Sequence, residues 1–291
     1  MSGRLSFFLV ALCGCAALAG EGADRPKPEA APVKVISWNI QYGSEGGSDP
    51  NSWPQRKEAL RAALESAKPD ILCTQEALDG QVEFLAKVVA SHGHAGVGRD
   101  DGKKQGEHCA IFYDQKRFEL LDGGTFWLSD TPDQPGRAWG EEYNRICTWV
   151  RLKEQASGGA FFVFNTHFPL KAEAREKAAG LLVERLQARK PAEPVILAGD
   201  FNCGPDSPPW KTIEAAGLVN SAKAAGSSPG AATYHKSGFP LICIDGIFAS
   251  AEWVAKKHEV VTGALKGAYP SDHFGASAVL EAKLPGKPGK D

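Results

Sequence analysis

Short apolar runs alternate with longer amphipathic stretches along most of this chain. Val33–Trp38 predicts a strand. Trp53–Ala67 repeats its apolar side chains at helical spacing and predicts a helix, with Ser52 and Gln55 placed as a capping box at its start. Asp70–Cys73 is a near-continuous apolar run, as in a strand covered on both faces, and Gln81–Ala90 is predicted helical. Strands are then expected at Cys109–Tyr113, Phe118–Leu128, Ile146–Leu152 and Phe161–Asn165. A helix follows over Ala172–Arg189, with Ala178, Leu182 and Leu186 on one stripe. Pro194–Ala198 predicts a buried strand and Pro208–Ala216 a short helix. Strands over Leu241–Phe248, Lys256–Thr262 and Ala276–Ala282 close the pattern. Strands outnumber helices and include consecutive hairpin-like pairs, which predicts an α/β fold of two packed sheets with helices outside.

The ends of the chain read differently. Residues 1–20 have the form of an export signal: Arg4, the apolar run Leu5–Leu12, then small residues in which Ala17-Leu18-Ala19 fits a signal-peptidase site. Leu12-Cys13-Gly14-Cys15 offers a competing reading as a lipobox, in which Cys15 is acylated and tethers the protein to a membrane. Either way the expectation is an exported protein, periplasmic or secreted, or a membrane-anchored lipoprotein. Residues 21–32 are rich in Pro, Ala and charge and predict a flexible linker. Residues 33–284 are expected to form one domain, with no internal linker or repeat, and residues 285–291 a disordered tail.

Charge narrows the partners. Against 33 Lys and Arg stand 35 Asp and Glu, a formal net charge of −2, and no basic block occurs. A protein that grips long nucleic acid usually carries a basic patch, so duplex DNA is disfavoured while short oligonucleotides and single phosphoester groups stay open. No obligate protein partner is evident. Outside the signal lie Cys73, Cys109, Cys147, Cys203 and Cys243, odd in number and without C-x-x-C spacing, which suits small core residues better than a structural zinc site.

Polar residues gather where the apolar strands end. Ile36-Ser37-Trp38 runs into Asn39, Leu72-Cys73 into Gln75-Glu76, and Phe164 into Asn165-Thr166-His167. Val195-Ile196-Leu197 runs into Gly199-Asp200-Phe201-Asn202, Ile242-Cys243-Ile244 into Asp245, and Ser271-Asp272-His273 precedes the final strand. Any one of these alone reads as a turn or cap. Six together suggest a site built on rigid elements. Asp and Glu oxygens suit a hard divalent cation, and His moves protons near neutral pH. No Ser or Cys sits in a nucleophile motif, so water is the expected attacking group.

The order W-N, Q-E, G-E, T-H, G-D-x-N, I-D and S-D-H resembles the endonuclease/exonuclease/phosphatase superfamily over residues 33–284. The segments Gly98–Gly102 and Gly124–Ser129 are similar to a bacterial branch distantly related to the deadenylases. The resemblance implies a four-layer α/β sandwich and a hydrolase acting on phosphoester bonds with Mg²⁺, or Mn²⁺ in its place. It implies Glu76 as the principal metal ligand, with Asn39 and Asp272 beside the metal or its waters. Asp200 and Asn202 would orient the water and the phosphate. Asp245 with His273, and Glu107 with His167, would form two carboxylate–His pairs, and His167 would protonate the leaving group. The identity of the general base stays open. Arg99, Arg145 and Thr233 are expected to face the phosphate. The favoured substrate is a phosphodiester, as in nucleases. The alternatives are sugar or inositol phosphomonoesters and sphingomyelinase-like phospholipids. A non-catalytic binding module would show gaps in this set, and none is missing. Two departures stand out: Gly246 after Asp245, where a bulky residue is usual and whose absence is expected to loosen the strand end, and Phe168-Pro169-Leu170 after the T-H motif, expected to alter the pocket wall.

Overall fold

The computed structural model describes residues 30–43, 52–265 and 267–283. The expected signal at residues 1–20, most of the 21–32 linker and the tail at 285–291 lie outside them. The last linker residues are held: Arg117 donates to the carbonyls of Ala31 and Pro32. Among the described residues no helix is long and apolar enough to cross a membrane.

The chain runs β1 (Val33–Asn39), α1 (Trp53–Ala67), β2 (Ile71–Ala77), α2 (Asp79–Val88), β3 (His92–Ala95), β4 (His108–Asp114), β5 (Phe118–Trp127), β6 (Ile146–Glu154), β7 (Ala160–His167) and α3 (Ala172–Ala188). It continues with β8 (Val195–Asp200), α4 (Pro208–Ala215), β9 (Val219–Asn220), α5 (Ser221–Ala224), β10 (Tyr234–Lys236), β11 (Phe239–Ile242), β12 (Asp245–Ala249), β13 (Trp253–Val261) and β14 (Gly275–Ala282). One six-stranded sheet has the order β13-β14-β1-β2-β4-β3 and the other β5-β6-β7-β8-β12-β9, while β10 and β11 form a separate hairpin. Each large sheet is mixed. β1 pairs parallel to β2 and β7 parallel to β8, and their other neighbours are antiparallel.

Three apolar layers explain the architecture. Between the sheets, Val33, Val35, Ile71 and Cys73 meet Val163, Ile196, Ala198 and Ile247. On the outer face of the first sheet, Ile36, Trp38 and Leu72 pack against Trp53, Leu60 and Leu64 of α1. On the outer face of the second, Phe162, Phe164 and Leu197 cover Ala178, Leu182 and Leu186 of α3 and Trp210 of α4. Strands buried on both faces have no polar face to alternate with, hence the near-continuous apolar runs. The result is the expected four-layer α/β sandwich.

Several local expectations need correction. Ser52 stands at the N-cap of α1 but makes no side-chain cap bond, and its hydroxyl is buried without a partner. The run expected as one strand over Leu241–Phe248 breaks at Cys243-Ile244, because β11 turns away to pair with β10 while β12 joins β8. Gly246 does not loosen β12. A side chain there would meet the Trp210 ring at 3.1 Å and Phe248 at 3.3 Å, so the indole already fills the space. Phe168 is core rather than pocket wall: it is fully buried and its ring meets Phe201 edge-on. Cys73, Cys109 and Cys147 are buried free thiols as expected, while Cys203 and Cys243 are free and half-buried.

Candidate active site

Strand periodicity assembles the site. Side chains two apart share a face. Val33, Val35 and Ser37 therefore lead to Asn39, and Ile196 and Ala198 lead to Asp200. Phe161, Val163 and Asn165 lead to His167, and Ile247 leads back to Asp245. All four polar residues continue the inter-sheet face past the end of its apolar layer. Asp245 opens β12 rather than ending a strand, and it lies directly opposite Asp200 in the antiparallel ladder. His167 is the parallel partner of Asp200 on the other side.

Asp200 is the hub. Its Oδ2 accepts from Asn39 Nδ2 at 2.9 Å and lies 3.5 Å from His167 Nε2 and 3.9 Å from His273 Nε2. Its Oδ1 accepts from the Asn202 amide at 2.9 Å. Burial raises its pKa to about 7, helped by the charge of Asp245 and opposed by His273 and by the hydrogen bond from Asn39. His273 Nδ1 meets Asp245 Oδ2 at 2.8 Å, the expected carboxylate–His pair. Burial alone would depress His273, but Asp245, Asp200 and Asp272 outweigh it and push the imidazole up to about 10. His167 is driven the other way: burial, then Arg145, Arg99 and His273, hold it well below its ordinary value.

Glu76 sits at a bulge. The register between β2 and β4 shifts between Thr74 and Ala77, and Glu76 has a φ of 63°. Bulges re-aim side chains, and a left-handed non-glycine residue signals a constrained site. Its carboxylate accepts from Asn39 Nδ2 at 2.9 Å and from the Tyr42 amide at 3.0 Å. Asp272 is half-buried, and its pKa is raised by burial and by the neighbouring charge of Glu76.

The second expected pair does not close. Glu107 lies 4.0 Å from His167 Nδ1 and instead takes Arg99 Nη1 at 2.5 Å. Burial pushes Glu107 up to about 6 against the pull of Arg99. Arg145 is buried beside them, with Nε and Nη1 unpartnered. Thr233 lies beneath the site: its hydroxyl accepts from the amides of Ile244 and Asp245, each at 3.1 Å, and so anchors the start of β12. The Asn202 side chain donates to the Phe168 carbonyl at 2.9 Å and ties the segments after β7 and β8 together.

Sequence reading missed the supports. Arg56 donates to the carbonyls of Ile40, Gln41, Tyr42 and Pro270, stapling the loop after Asn39 to the approach to Asp272. Its signal was available: it lies on the buried stripe of α1 with Trp53, Ala59, Leu60 and Ala63. Gln81 bonds the Gly43 amide at 2.8 Å and the Gln41 carbonyl at 3.0 Å. Trp38 donates to the His273 carbonyl at 2.8 Å. Gln75 reaches across the sandwich to Asn165 at 2.6 Å, while Asn165 donates to the carbonyls of Thr74 and Ala110.

Donor atoms of Asp200, Asp245 and His273 lie within 4.8 Å of one another, so the cluster could hold a divalent ion. With a deep carboxylate–His constellation at one end of a sheet sandwich, the chain has the build of a phosphoester hydrolase. The family model described as the endonuclease/exonuclease/phosphatase family matches residues 36–273, and the chain belongs to this family. Members of this family hydrolyse phosphoester bonds. An endonuclease/exonuclease/phosphatase family protein from Bacteroides thetaiotaomicron is 30% identical, with a TM-score of 0.79, covering 87% of this chain and 99% of that one. A mannosyl-6-phosphatase from the same organism is also 30% identical, with a TM-score of 0.75, covering 85% of this chain and 99% of that one. Nocturnin of Drosophila melanogaster is 25% identical over 207 residues, covering 62% of this chain, and the chain spans only 30% of its length.

Proposed function

We propose that the protein is a Mg²⁺-dependent phosphoester hydrolase in which water attacks phosphorus directly and Asp200 takes the water's proton. One observation carries this reading: the buried Asp200 carboxylate, held by Asn39 Nδ2 and the Asn202 amide, lies 3.5 Å from His167 Nε2 and 3.9 Å from His273 Nε2. A base poised near neutral pH is what water activation needs. His273 carries a proton at neutral pH, so it stabilises charge on the phosphoryl oxygens and is the proton donor available to the departing oxygen. His167, held well below its ordinary value by burial and by Arg145 and Arg99, approaches Asp200 at 3.5 Å and in this reading leaves the donor role to His273. Asp245 fixes the His273 ring and keeps it charged.

Two places suit a cation. The Asp200, Asp245 and His273 donors are close together, but Asp245 and His273 already engage each other. Glu76, Asn39 and Asp272 offer oxygens to a hard ion, and the mutual repulsion of Glu76 and Asp272 favours a positive charge between them. These three are the residues that would hold Mg²⁺, with Mn²⁺ as its substitute. Bound there, the ion would supply neutralisation of phosphoryl charge.

The test is turnover of p-nitrophenyl phosphate and bis-p-nitrophenyl phosphate with Mg²⁺, with Mn²⁺, with EDTA, and in Glu76→Ala. At least one ester should turn over with metal, and both EDTA and the substitution should abolish it. Equal rates with and without EDTA would refute the metal dependence.

The mannosyl-6-phosphatase relative makes a sugar phosphate the leading substrate class. A second reading, an ester with an apolar group, is favoured by the hairpin of β10 and β11. It hangs beside His273, and Phe239, Leu241 and Ile242 are all exposed. We also propose export through residues 1–20. Cell fractionation of the wild type and Cys15→Ser checks it, and a membrane-bound wild type released by the substitution would identify the lipoprotein form.

A further inference from the structure

Arg56 is a charged residue on an apolar stripe. It lies on the buried side of α1 and is only 2% exposed. Ala59, Leu60, Ala63 and Leu64 of the same stripe pack the helix without charge. Burying a guanidinium is costly unless its N–H groups are hydrogen-bonded. Here Nη1 donates to the carbonyls of Ile40 and of Pro270, the latter at 2.9 Å. Nη2 donates to those of Gln41 at 2.7 Å and Tyr42 at 3.0 Å. The Trp53 ring lies against the same cation, its centre 5.4 Å from the guanidinium carbon.

Three successive carbonyls converge on one guanidinium because the loop after β1 turns sharply. Gln41 makes that turn with a φ of 56°, a left-handed conformation that persists in a non-glycine residue where its surroundings fix it. The loop is thereby polarised. Its carbonyls point to Arg56, and two of its amides point to the site. Gln41 donates from its amide to Asn39 Oδ1 at 2.9 Å, and Tyr42 to Glu76 Oε2 at 3.0 Å. The fourth carbonyl belongs to Pro270, two residues ahead of Asp272. Between the two segments the Ser271 hydroxyl donates to the Asn39 carbonyl at 2.7 Å. One side chain therefore ties together the backbone supports of Asn39, Glu76 and Asp272, which come from three segments far apart in sequence.

Resting on the cation reading above, we propose that Arg56 is a positioning residue for the cation site: it holds the oxygens of Asn39, Glu76 and Asp272 in one arrangement and so sets the affinity for Mg²⁺. It touches neither the ion's donors nor the substrate and acts through the backbone. Glu76 and Asp272 repel each other, so something must hold them together before an ion arrives, and the segments tied at Arg56 do so. The planar guanidinium presents two donors on each of Nη1 and Nη2, which matches two pairs of carbonyls. A lysine ammonium has three donors and no fork, so it would keep the charge and the stem but not the four bonds.

The experiment measures Mn²⁺ affinity, by electron paramagnetic resonance of the free ion, in the wild type, Arg56→Lys, Glu76→Ala and Leu64→Ala. Leu64→Ala opens a cavity two turns further along the same helix and controls for general destabilisation. The wild type should bind Mn²⁺, and Glu76→Ala should abolish that binding. Arg56→Lys should weaken it by about 10–100-fold, the scale for losing a group that orients metal ligands, while Leu64→Ala stays within about twofold of wild type. An Arg56→Lys affinity within about twofold of wild type, or an equal loss in Leu64→Ala, would overturn the proposal. A wild type that binds no Mn²⁺, or binding that survives Glu76→Ala, would instead refute the cation reading and the proposal with it. Should Arg56→Lys not fold, hydrogen exchange in the wild type decides. No donor to the proposed ion comes from α1, so its amides report the coupling through Arg56. Mn²⁺ should slow exchange around Arg56 in α1 by at least about tenfold more than in α3, and equal slowing in both helices would overturn the proposal.

Discussion

His273 and Asp245 make the sharpest statement at the scale of single residues. Their 2.8 Å contact is buried, and it sets both the charge and the direction of the imidazole. Asp245→Asn should cut kcat by ~10²–10⁴-fold, as for a lost general acid–base group, with substrate binding changed far less. The loss in His273→Gln should be larger for an alkyl phosphate than for p-nitrophenyl phosphate, because a poor leaving group needs the proton more. Equal losses for both leaving groups would remove His273 from the donor role. The pair also links stability to pH. His273 has a folded-state pKa above its ordinary value, so its contribution is complete below about pH 6.5 and is lost as pH rises through about 10. In metal-free protein the melting difference between wild type and Asp245→Asn should therefore be largest near pH 6 and shrink toward pH 10.5. A difference that grows with pH would contradict the assignment. The residues of this pair were legible because S-D-H and I-D are short local motifs. The partners of Arg56 and Gln81 were not, since they are backbone carbonyls and amides brought near only by folding.

At the scale of elements, Asn39, His167, Asp200 and Asp245 continue the strands that form the inter-sheet core. The apolar strands were legible because burial on both faces leaves continuous runs, and the period of two then indicates which polar residue at each end faces inward. The bulge at Glu76 was not legible, since it depends on how β2 and β4 pair across the gap left by residues 75 and 76. Nor was the break between β11 and β12, because Leu241–Phe248 is apolar throughout and only the competing partners β10 and β8 divide it. The sheets are joined beneath the site by Gln75 and Asn165. Asn165→Leu should destabilise the fold by about 1–3 kcal/mol, the cost of removing the nearer acceptor of the Gln75 amide and the side-chain donor to two buried carbonyls, as read by chemical denaturation. A loss below about 0.5 kcal/mol would mean that the link carries no stability. The chain crossing at Gly199 is as close: a Cβ there would lie 2.4 Å from the Thr166 carbonyl oxygen. Gly199→Ala should therefore separate β7 from β8 and lower both stability and turnover.

For the whole molecule, two sheets fix two sets of groups against each other. The first sheet brings Asn39 and Glu76, and the second brings His167, Asp200 and Asp245. His273 enters just ahead of β14 with its main-chain carbonyl held by Trp38. The family was legible from the order of these motifs alone, while the pairing of Glu107 with Arg99 rather than with His167 was not, because His167 comes from a strand distant in sequence. The account rests on direct attack of a metal-dependent water at phosphorus, and its most direct test is hydrolysis of a phosphomonoester in heavy-oxygen water with Mg²⁺. The account predicts that the label enters the released phosphate and never the alcohol, and that turnover vanishes in EDTA. Label in the alcohol, or undiminished turnover in EDTA, would contradict it.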